Sequence, residues 1–417
     1  MRPVTAVTVL YRSPHLIPEL SDTLRGLRPL CETILVDSRS EDGTADAAAA
    51  AMPWARHMQA DENRGFGAAN NIALSTVDTP FVLLMNPDAS VGLEAVSAMV
   101  AFLRESPRYA ACQPLLRLWD WPLAVAGAGT SMTAYGEGYD LRYMQLLPAA
   151  PQVESLRVPG VTAAVSLWRT EVLAECGGFD PAFFMYFEDV DLSLRAAARG
   201  WRFALLPGIE GRHSSGATST RVSAKQWELT SSVILARRYL GGGRLPGSWL
   251  RREVRILAAG LLRGRPAGWR IPALRAGLAA EVETVELGPE QRSLLRSRPM
   301  DKPLPRGSLT GPLCGGDQPQ AGPGWVGATR APRLAGQWGG IILPDGELSA
   351  VRLVLSSTCA YLSGVYACGG RILGRFSLPR GETRLEIPLI HGCRRVQLGL
   401  DGNFEGGKIV LEQAEVS

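Results

Sequence analysis

Gly178-Phe179-Asp180, followed by Phe183-Phe184-Met185-Tyr186-Phe187-Glu188-Asp189-Val190-Asp191, is the stretch on which the reading of this chain turns. Three carboxylates, Glu188, Asp189 and Asp191, fall within four positions directly after an aromatic run, and residues 192–199 have helix-forming character. The N-terminal end of a helix favours negative charge. Carboxylates held beside apolar rings have raised pKa values, which suits a general base. A solvated acidic first turn has the same local sequence, so the choice between the two depends on the surrounding chain.

Upstream, strand and helix signals alternate. Residues 4–11 are an apolar, β-branched run that reads as a buried parallel strand. Residues 15–27 have helical spacing, 33–36 form a second strand ending at Asp37, 44–52 are an alanine-rich helix, and 81–85 are a third core strand before Asn86-Pro87-Asp88. Repeated β-α units predict an α/β domain with a mostly parallel sheet and a ligand at the carboxyl ends of its strands. Three polar clusters fall at such ends: Tyr11-Arg12, Asp37-Ser38 and Asn86 to Asp88.

Each cluster admits a functional and a structural reading. Asp37 can accept a hydrogen bond from a base N–H or a ribose hydroxyl, or it can close an Asx turn. In Asn63-Arg64-Gly65-Phe66-Gly67-Ala68-Ala69-Asn70-Asn71 the small residues permit close backbone approach. There Arg64 can meet a phosphate and Asn70 and Asn71 can hydrogen-bond a ligand, or the segment is a glycine turn with a helix cap. Asp88 is placed either to hold a divalent cation on a diphosphate or to cap an Asn-Pro turn. His213, one of four histidines, follows a strand at 201–206 and either joins Asp88 on a cation or is structural. No GxGxxG follows the first strand and no GxxxxGK[ST] occurs, which excludes the usual dinucleotide and P-loop folds.

In this order the residues resemble the family 2 glycosyltransferases of GT-A fold, most of all their rhamnosyltransferase-like branch, over about residues 4–300. The resemblance implies an inverting transfer, dependent on Mn2+ or Mg2+, from a nucleoside-diphosphate sugar. The donor is dTDP-rhamnose before UDP-linked sugars. The acceptor is a hydroxyl of a glycan or of a polyprenyl-diphosphate-linked glycan in bacterial surface polysaccharide synthesis. Tyr11, Asp37, Ser38, Arg64, Gly65, Asn70, Asn86 and Asp88 would hold the nucleotide-sugar, and Asp88 and His213 the metal. Asp189 would be the catalytic base, with Glu188 and Asp191 orienting the loop or the acceptor. Trp119, Tyr139, Gly160 and Asp191 would line the acceptor side, with 160–164 a strand bringing backbone close to the ligand. The chain departs from the family pattern in reading Val36-Asp37-Ser38 for Val-Asp-Asn and Asn86-Pro87-Asp88 for Asp-x-Asp.

A length of 417 residues predicts two or three domains, and a net charge of +4 is too small to point to nucleic acid by itself. The seven cysteines form neither a CxxC pair nor a zinc pattern, so reduced thiols in the cytosol are expected. No signal-peptide pattern and no spanning apolar run is present. The catalytic domain is expected over 1–235 and a basic helical extension over 236–298. Between 237 and 306 there are 15 Arg and Lys against 6 Asp and Glu, which places the extension either on an anionic membrane surface at the inner face of the plasma membrane or, with solvated arginines, on the catalytic domain. Residues 299–330 read as a Gly/Pro-rich linker. Residues 331–417 read as a small antiparallel β-sandwich, serving carbohydrate binding, homodimerisation or bracing.

Two rivals stand beside the transferase. A sugar nucleotidyltransferase would want a glycine-rich N-terminal loop, which Leu10-Tyr11-Arg12-Ser13-Pro14 does not supply. A non-catalytic carbohydrate-binding protein would not need Asp88, Asp189 and His213, and metal-dependent binding of a nucleoside diphosphate separates it from an enzyme.

Overall fold

The computed structural model describes residues 2–121, 124–143, 155–214, 221–262 and 268–296, together with strands between 320 and 416. The chain divides into two compact units, one built on residues 1–116, 127–141 and 151–300 and the other on 117–126, 142–150 and 301–417.

In the first unit the elements run β1 (Val4–Leu10), α1 (Ile17–Leu27), β2 (Cys31–Asp37), α2 (Thr44–Ala51), β3 (Arg56–Gln59), α3 (Phe66–Leu74), β4 (Phe81–Met85), β5 (Ala89–Val91), α4 (Leu93–Glu105) and β6 (Tyr109–Leu118). They continue with β7 (Val125–Gly127), β8 (Thr130–Met132), β9 (Gly138–Asp140), β10 (Leu156–Val158), β11 (Val165–Arg169), α5 (Thr170–Glu175), α6 (Glu188–Ala198) and β12 (Arg202–His213). Four helices close the unit: α7 (Arg221–Leu235), α8 (Gly247–Leu262), α9 (Arg270–Ala279) and α10 (Pro289–Arg296).

β1 and β4 are buried along their whole length, which is why β4 is an unbroken apolar run and β1 is apolar but for two threonines. The central sheet has the order β10-β12-β6-β11-β4-β1-β2-β3. Its β3-β2-β1-β4 part is parallel, and β11 then lies antiparallel to β4. The chain builds outward from β1 to β2 and β3, then returns to place β4 on the other side of β1. That reversal is a topological switch point, and it opens a crevice at the carboxyl ends of β1 and β4.

Two expected boundaries move. The strand expected at 201–206 runs on to His213, because its last residues pair antiparallel with β5: Gly211 with Val91, Arg212 with Ser90 and His213 with Ala89. Residues 161–164 are loop rather than strand, and β11 begins at Val165. The helices beyond 235 cluster with the first unit. Trp249 of α8 is buried with Val233 and Ala236, and a side chain at Gly277 of α9 would lie 2.6 Å from Val233.

In the second unit the described strands are β13 (Gln320–Ala321), β14 (Trp325–Val326), β15 (Arg333–Leu334), β16 (Trp338–Ile342), β17 (Ala350–Cys368), β18 (Arg371–Pro388), β19 (Arg395–Leu400) and β20 (Ile409–Val416). They join in one antiparallel sheet, order β13-β16-β19-β17-β20-β15-β14, with β18 on β17. Two of the short runs expected from sequence merge into β18, because β17 pairs with it on both sides of an irregularity between Ser357 and Tyr361. Most of the expected 299–330 linker lies outside the described residues.

Candidate active site

Asp37 ends β2 and is 4% exposed. Its Oδ2 accepts from the Ser40 N–H at 3.0 Å and from Gln59 Nε2 at 3.4 Å, whereas Oδ1 is buried without a partner. Ser38, also buried, donates its N–H to the Leu10 carbonyl at 2.8 Å, while its hydroxyl lies 3.3 Å from Asn63 Oδ1. Tyr11 is half-buried just past β1, with the Arg12 guanidinium 5.3 Å from its ring centre. On the far side of the switch point Asn86 follows β4, and its Oδ1 too is buried without a partner.

The antiparallel β5–β12 register sets His213 opposite Ala89, next to Asp88. His213 Nε2 stands 3.4 Å from Asp88 Oδ1, and the Ser214 N–H donates to the Asp88 carbonyl at 3.0 Å. Burial works against charge on His213, yet the Asp88 hydrogen bond and the charges of Asp88, Asp140 and Asp189 together raise its pKa above the ordinary histidine value. Asp88 offers a hard oxygen of the kind Mn2+ and Mg2+ take, and His213 an imidazole nitrogen that suits a transition ion such as Mn2+ better than Mg2+. Among the described residues no three His, Cys, Asp or Glu side chains converge to enclose an ion, so diphosphate oxygens would have to complete the shell.

Glu188 and Asp189 open α6. Asp189 Oδ2 accepts from the Ala163 N–H at 3.1 Å and Oδ1 from the Val190 N–H at 2.8 Å. Glu188 Oε2 is buried without a partner. Burial, followed by the negative charge of Asp189, pushes the Glu188 carboxyl up to about 8. Burial raises Asp189 as well, but the Ala163 and Val190 amides and the Thr162 side chain stabilise its charged form. Two adjacent buried carboxyls do not ionise together easily. The one with three donors holds the charge, and the one with an orphaned oxygen keeps the proton.

The loop before this pair is strained and fastened. Tyr186 and Phe187 both have left-handed backbone, φ 69° and 67°, at a cost of about 1–3 kcal/mol each. Asn71 of α3 latches the loop, donating Nδ2 to the Phe179 carbonyl at 2.7 Å and accepting the Phe179 N–H at 2.9 Å. Phe66 N–H donates to the Phe184 carbonyl at 3.0 Å. That approach is open only because residue 65 is glycine: at φ +94° a Cβ there would lie 1.9 Å from the Phe184 oxygen. Arg238, in the π-helical turn Ala236–Leu240, clamps both ends of the loop, with Asp180 and Asp191 each 2.5 Å away.

Several of the expected site residues are engaged within the protein itself. Of the two roles expected for Asp191, its contacts fit the orienting of the loop and not the lining of an acceptor: it is 0% exposed, and its carboxylate is taken up by Arg195 at 2.7 Å, Arg238 at 2.5 Å and the Tyr239 hydroxyl at 2.9 Å. Gly160 makes room for α6 rather than for a ligand, since a Cβ there would meet the Ser193 Cβ at 2.6 Å. Asn70 is buried and donates Nδ2 to the Phe66 carbonyl of its own helix at 3.0 Å, and both polar atoms of the Asn71 side chain serve the latch. Arg64 is exposed and ion-paired with Glu62. Tyr139 is half-buried on the β8–β9 hairpin. Trp119 lies in the 117–126 segment of the second unit.

Sequence reasoning missed Asn63, Gln113, Arg238 and Asp140. Asn63 Oδ1 accepts the Gly65 N–H at 2.9 Å, and Gln113 Oε1 accepts the Thr162 N–H at 2.9 Å. Asn63 carried a signal, an Asx residue two positions before a glycine. The others make contacts across long stretches of chain, which no local pattern reveals.

Among the described residues, three carboxyl or amide oxygens are buried without a partner: those of Asp37, Asn86 and Glu188. All three belong to this site. Buried hydrogen bonds left unmade are costly, so a ligand with donors for Asp37 and Asn86 and an acceptor for the protonated Glu188 is the physical complement of the arrangement.

A family model, Glycosyltransferase like family 2, matches residues 6–230. Over 285 residues the chain is 27% identical to an N-acetylglucosaminyl-diphospho-decaprenol L-rhamnosyltransferase of Mycobacterium tuberculosis (strain ATCC 25618 / H37Rv), covering 62% of this chain and 92% of that protein. It is 25% identical over 195 residues to the rhamnosyltransferase WbbL of Escherichia coli (strain K12), covering 43% of this chain and 72% of that one. Among solved structures it is similar to the mannosyltransferase PcManGT from Pyrobaculum calidifontis in complex with GDP-Man and Mn2+, with a TM-score of 0.43, 20% identity, and 71% of this chain and 79% of that chain covered. A likeness that distant carries nothing about ligands.

Proposed function

The chain belongs to the glycosyltransferase-like family 2, and from that membership we propose that it is an inverting transferase moving rhamnose from dTDP-rhamnose onto a hydroxyl of a lipid-linked glycan. The names of the two relatives support the donor sugar, and the decaprenyl diphosphate in one of them supports the acceptor class. The observation that carries the reading is the pair of unpartnered acceptor oxygens on Asp37 and Asn86, the first ending β2 and the second following β4. Family membership also removes the nucleotidyltransferase alternative.

Asp37 Oδ1 accepts from the nucleoside, on the floor formed by Ser38 and the Asn63–Gly65 turn. Asp189, charged and oriented by the Ala163 and Val190 amides, takes the proton of the acceptor hydroxyl. As that oxygen bonds to the anomeric carbon, the bond from this carbon to the diphosphate breaks and its electron pair leaves on the diphosphate. One displacement inverts the anomeric centre. Glu188, protonated, spares Asp189 a second adjacent charge. A divalent cation held by Asp88, His213 and the diphosphate would supply positive charge against the leaving group. Much of the acceleration then comes from positioning, which the latched and clamped 178–191 loop provides. The enzyme works in the cytoplasm, at the inner face of the membrane that carries its acceptor.

Calorimetric titration of dTDP, UDP, GDP and ADP, with and without Mn2+, tests this reading on wild type and Asp88→Ala. The expected result is binding of dTDP that strengthens with metal, and loss of the metal dependence in the variant. UDP is expected to bind about fivefold more weakly, the worth of one methyl group in a pocket. Binding of none of the four in either condition overturns it.

A further inference from the structure

We propose that the outer faces of α8 and α9 form a docking surface for an anionic lipid bilayer. Every large apolar side chain that is exposed among the described residues lies between 240 and 278. On α8 Leu250 and Val254 stand one turn apart, and Leu262 is 89% exposed. On α9 Ile271 and Leu278 are exposed two turns apart, with exposed Arg275 between them. Scattered apolar residues are ordinary on a soluble surface, but six of these seven, all except Leu240, fall on two adjacent helices, which marks an interaction site.

Charge decides the partner. Arg251 and Arg255 run beside Leu250 and Val254, all four exposed. The only acid on either helix is Glu253, and it is buried in a two-pronged pair with Arg270, at 2.5 and 2.6 Å. That pair fastens α8 to α9, and the inner faces of both, through Trp249 and Gly277, rest on α7 and the π-helical turn. The outward faces are therefore cationic and apolar, with no exposed acid. A two-fold contact between copies would set this face against itself, arginine against arginine. Phosphate headgroups over acyl chains complement both features at once. Among the described residues no helix is long and apolar enough to cross a bilayer, so the helices lie on the surface. The proposal rests on the lipid-linked acceptor for its purpose, while its test does not.

The test is co-sedimentation of the full chain with vesicles of phosphatidylcholine alone and of phosphatidylcholine with phosphatidylglycerol, at low and high salt. Binding is expected to the anionic vesicles only, and to weaken with salt. The double variant Arg251→Gln/Arg255→Gln should bind about thirtyfold more weakly, from the attraction of two arginines to an anionic surface. Leu250→Ser/Val254→Ser should also release the protein. All four positions are exposed, so unfolding midpoints and dTDP affinity should stay at wild-type values. Failure of the wild type to bind phosphatidylglycerol vesicles, or unchanged binding by both variants, overturns the proposal. So does a wild-type dimer in sedimentation velocity that either variant dissolves, because a second copy is then the occupant. If vesicles bind and no nucleotide does, the transferase reading fails and the surface stands.

Discussion

Replacing Arg238 with Met tests how the catalytic loop is held. Arg238 is 4% exposed and bridges Asp180 and Asp191, 2.5 Å from each. Removing one partner of a buried ion pair costs about 3–5 kcal/mol, because the other charge is left buried. Asp191 keeps Arg195 at 2.7 Å and Tyr239 at 2.9 Å, so the loss should lie near the lower end, about 3 kcal/mol. For a unit of this size that corresponds to a fall in unfolding midpoint of roughly 6–12 °C. Scanning calorimetry of the catalytic unit's transition measures it. Adding Asp180→Asn removes the carboxylate that loses its ion pair, so the double variant should be more stable than Arg238→Met alone. Asp189 sits in the segment that Arg238 spans, so transfer should fall by about one to two orders of magnitude. Asp37 lies on a different strand, and dTDP affinity should hold. A midpoint within about 2 °C of wild type, or a double variant weaker than the single, would refute the clamp.

Gly65→Ala places a Cβ 1.9 Å from the Phe184 oxygen at a backbone angle of +94°, and should destabilise by more than about 3 kcal/mol by chemical denaturation. Gly208→Ala, in extended backbone where nothing lies within 4 Å, is the neutral control, and equal behaviour of the two would contradict the close approach. Glu188→Gln should change the pH dependence of stability. With the folded carboxyl near 8 and the unfolded one near its ordinary value of about 4.3, the folded state holds the extra proton between them. Wild-type stability relative to the Gln variant is thus fully present below the lower value and lost as pH rises towards 8. Parallel midpoint curves for the two proteins across that window would show the raised pKa to be absent. Asp37→Ala should weaken every nucleoside diphosphate about tenfold, with or without metal, by loss of a charge-assisted hydrogen bond.

The parts of the site that local sequence revealed are those whose position follows from strand alternation. Apolar runs ending in Asp37 and Asn86 place both residues at the sheet's carboxyl edge without knowledge of what lies beside them. Asp191 could not be read this way. In sequence it is one more acid in a helical first turn, and only Arg238, 47 positions on, makes it a buried anchor. Gly160 shows the same limit: a glycine states that something comes close, and here it is Ser193 rather than a sugar. The sequence places His213 past a strand that stops at Leu206. The β5 partner carries the extended backbone through to it and thereby sets it beside Asp88.

The central claim is that Asp189 removes the acceptor's proton, and Asp189→Asn tests it most directly. The amide keeps the shape and still accepts the Ala163 or Val190 N–H, but it takes no proton. The paired measurement is rhamnosyl transfer to a polyprenyl-diphosphate-linked acceptor and dTDP binding on the same preparation. The account predicts transfer reduced by about 10²–10⁴-fold with dTDP affinity near wild type. A variant that binds dTDP normally and keeps more than about a tenth of the transfer rate would contradict it.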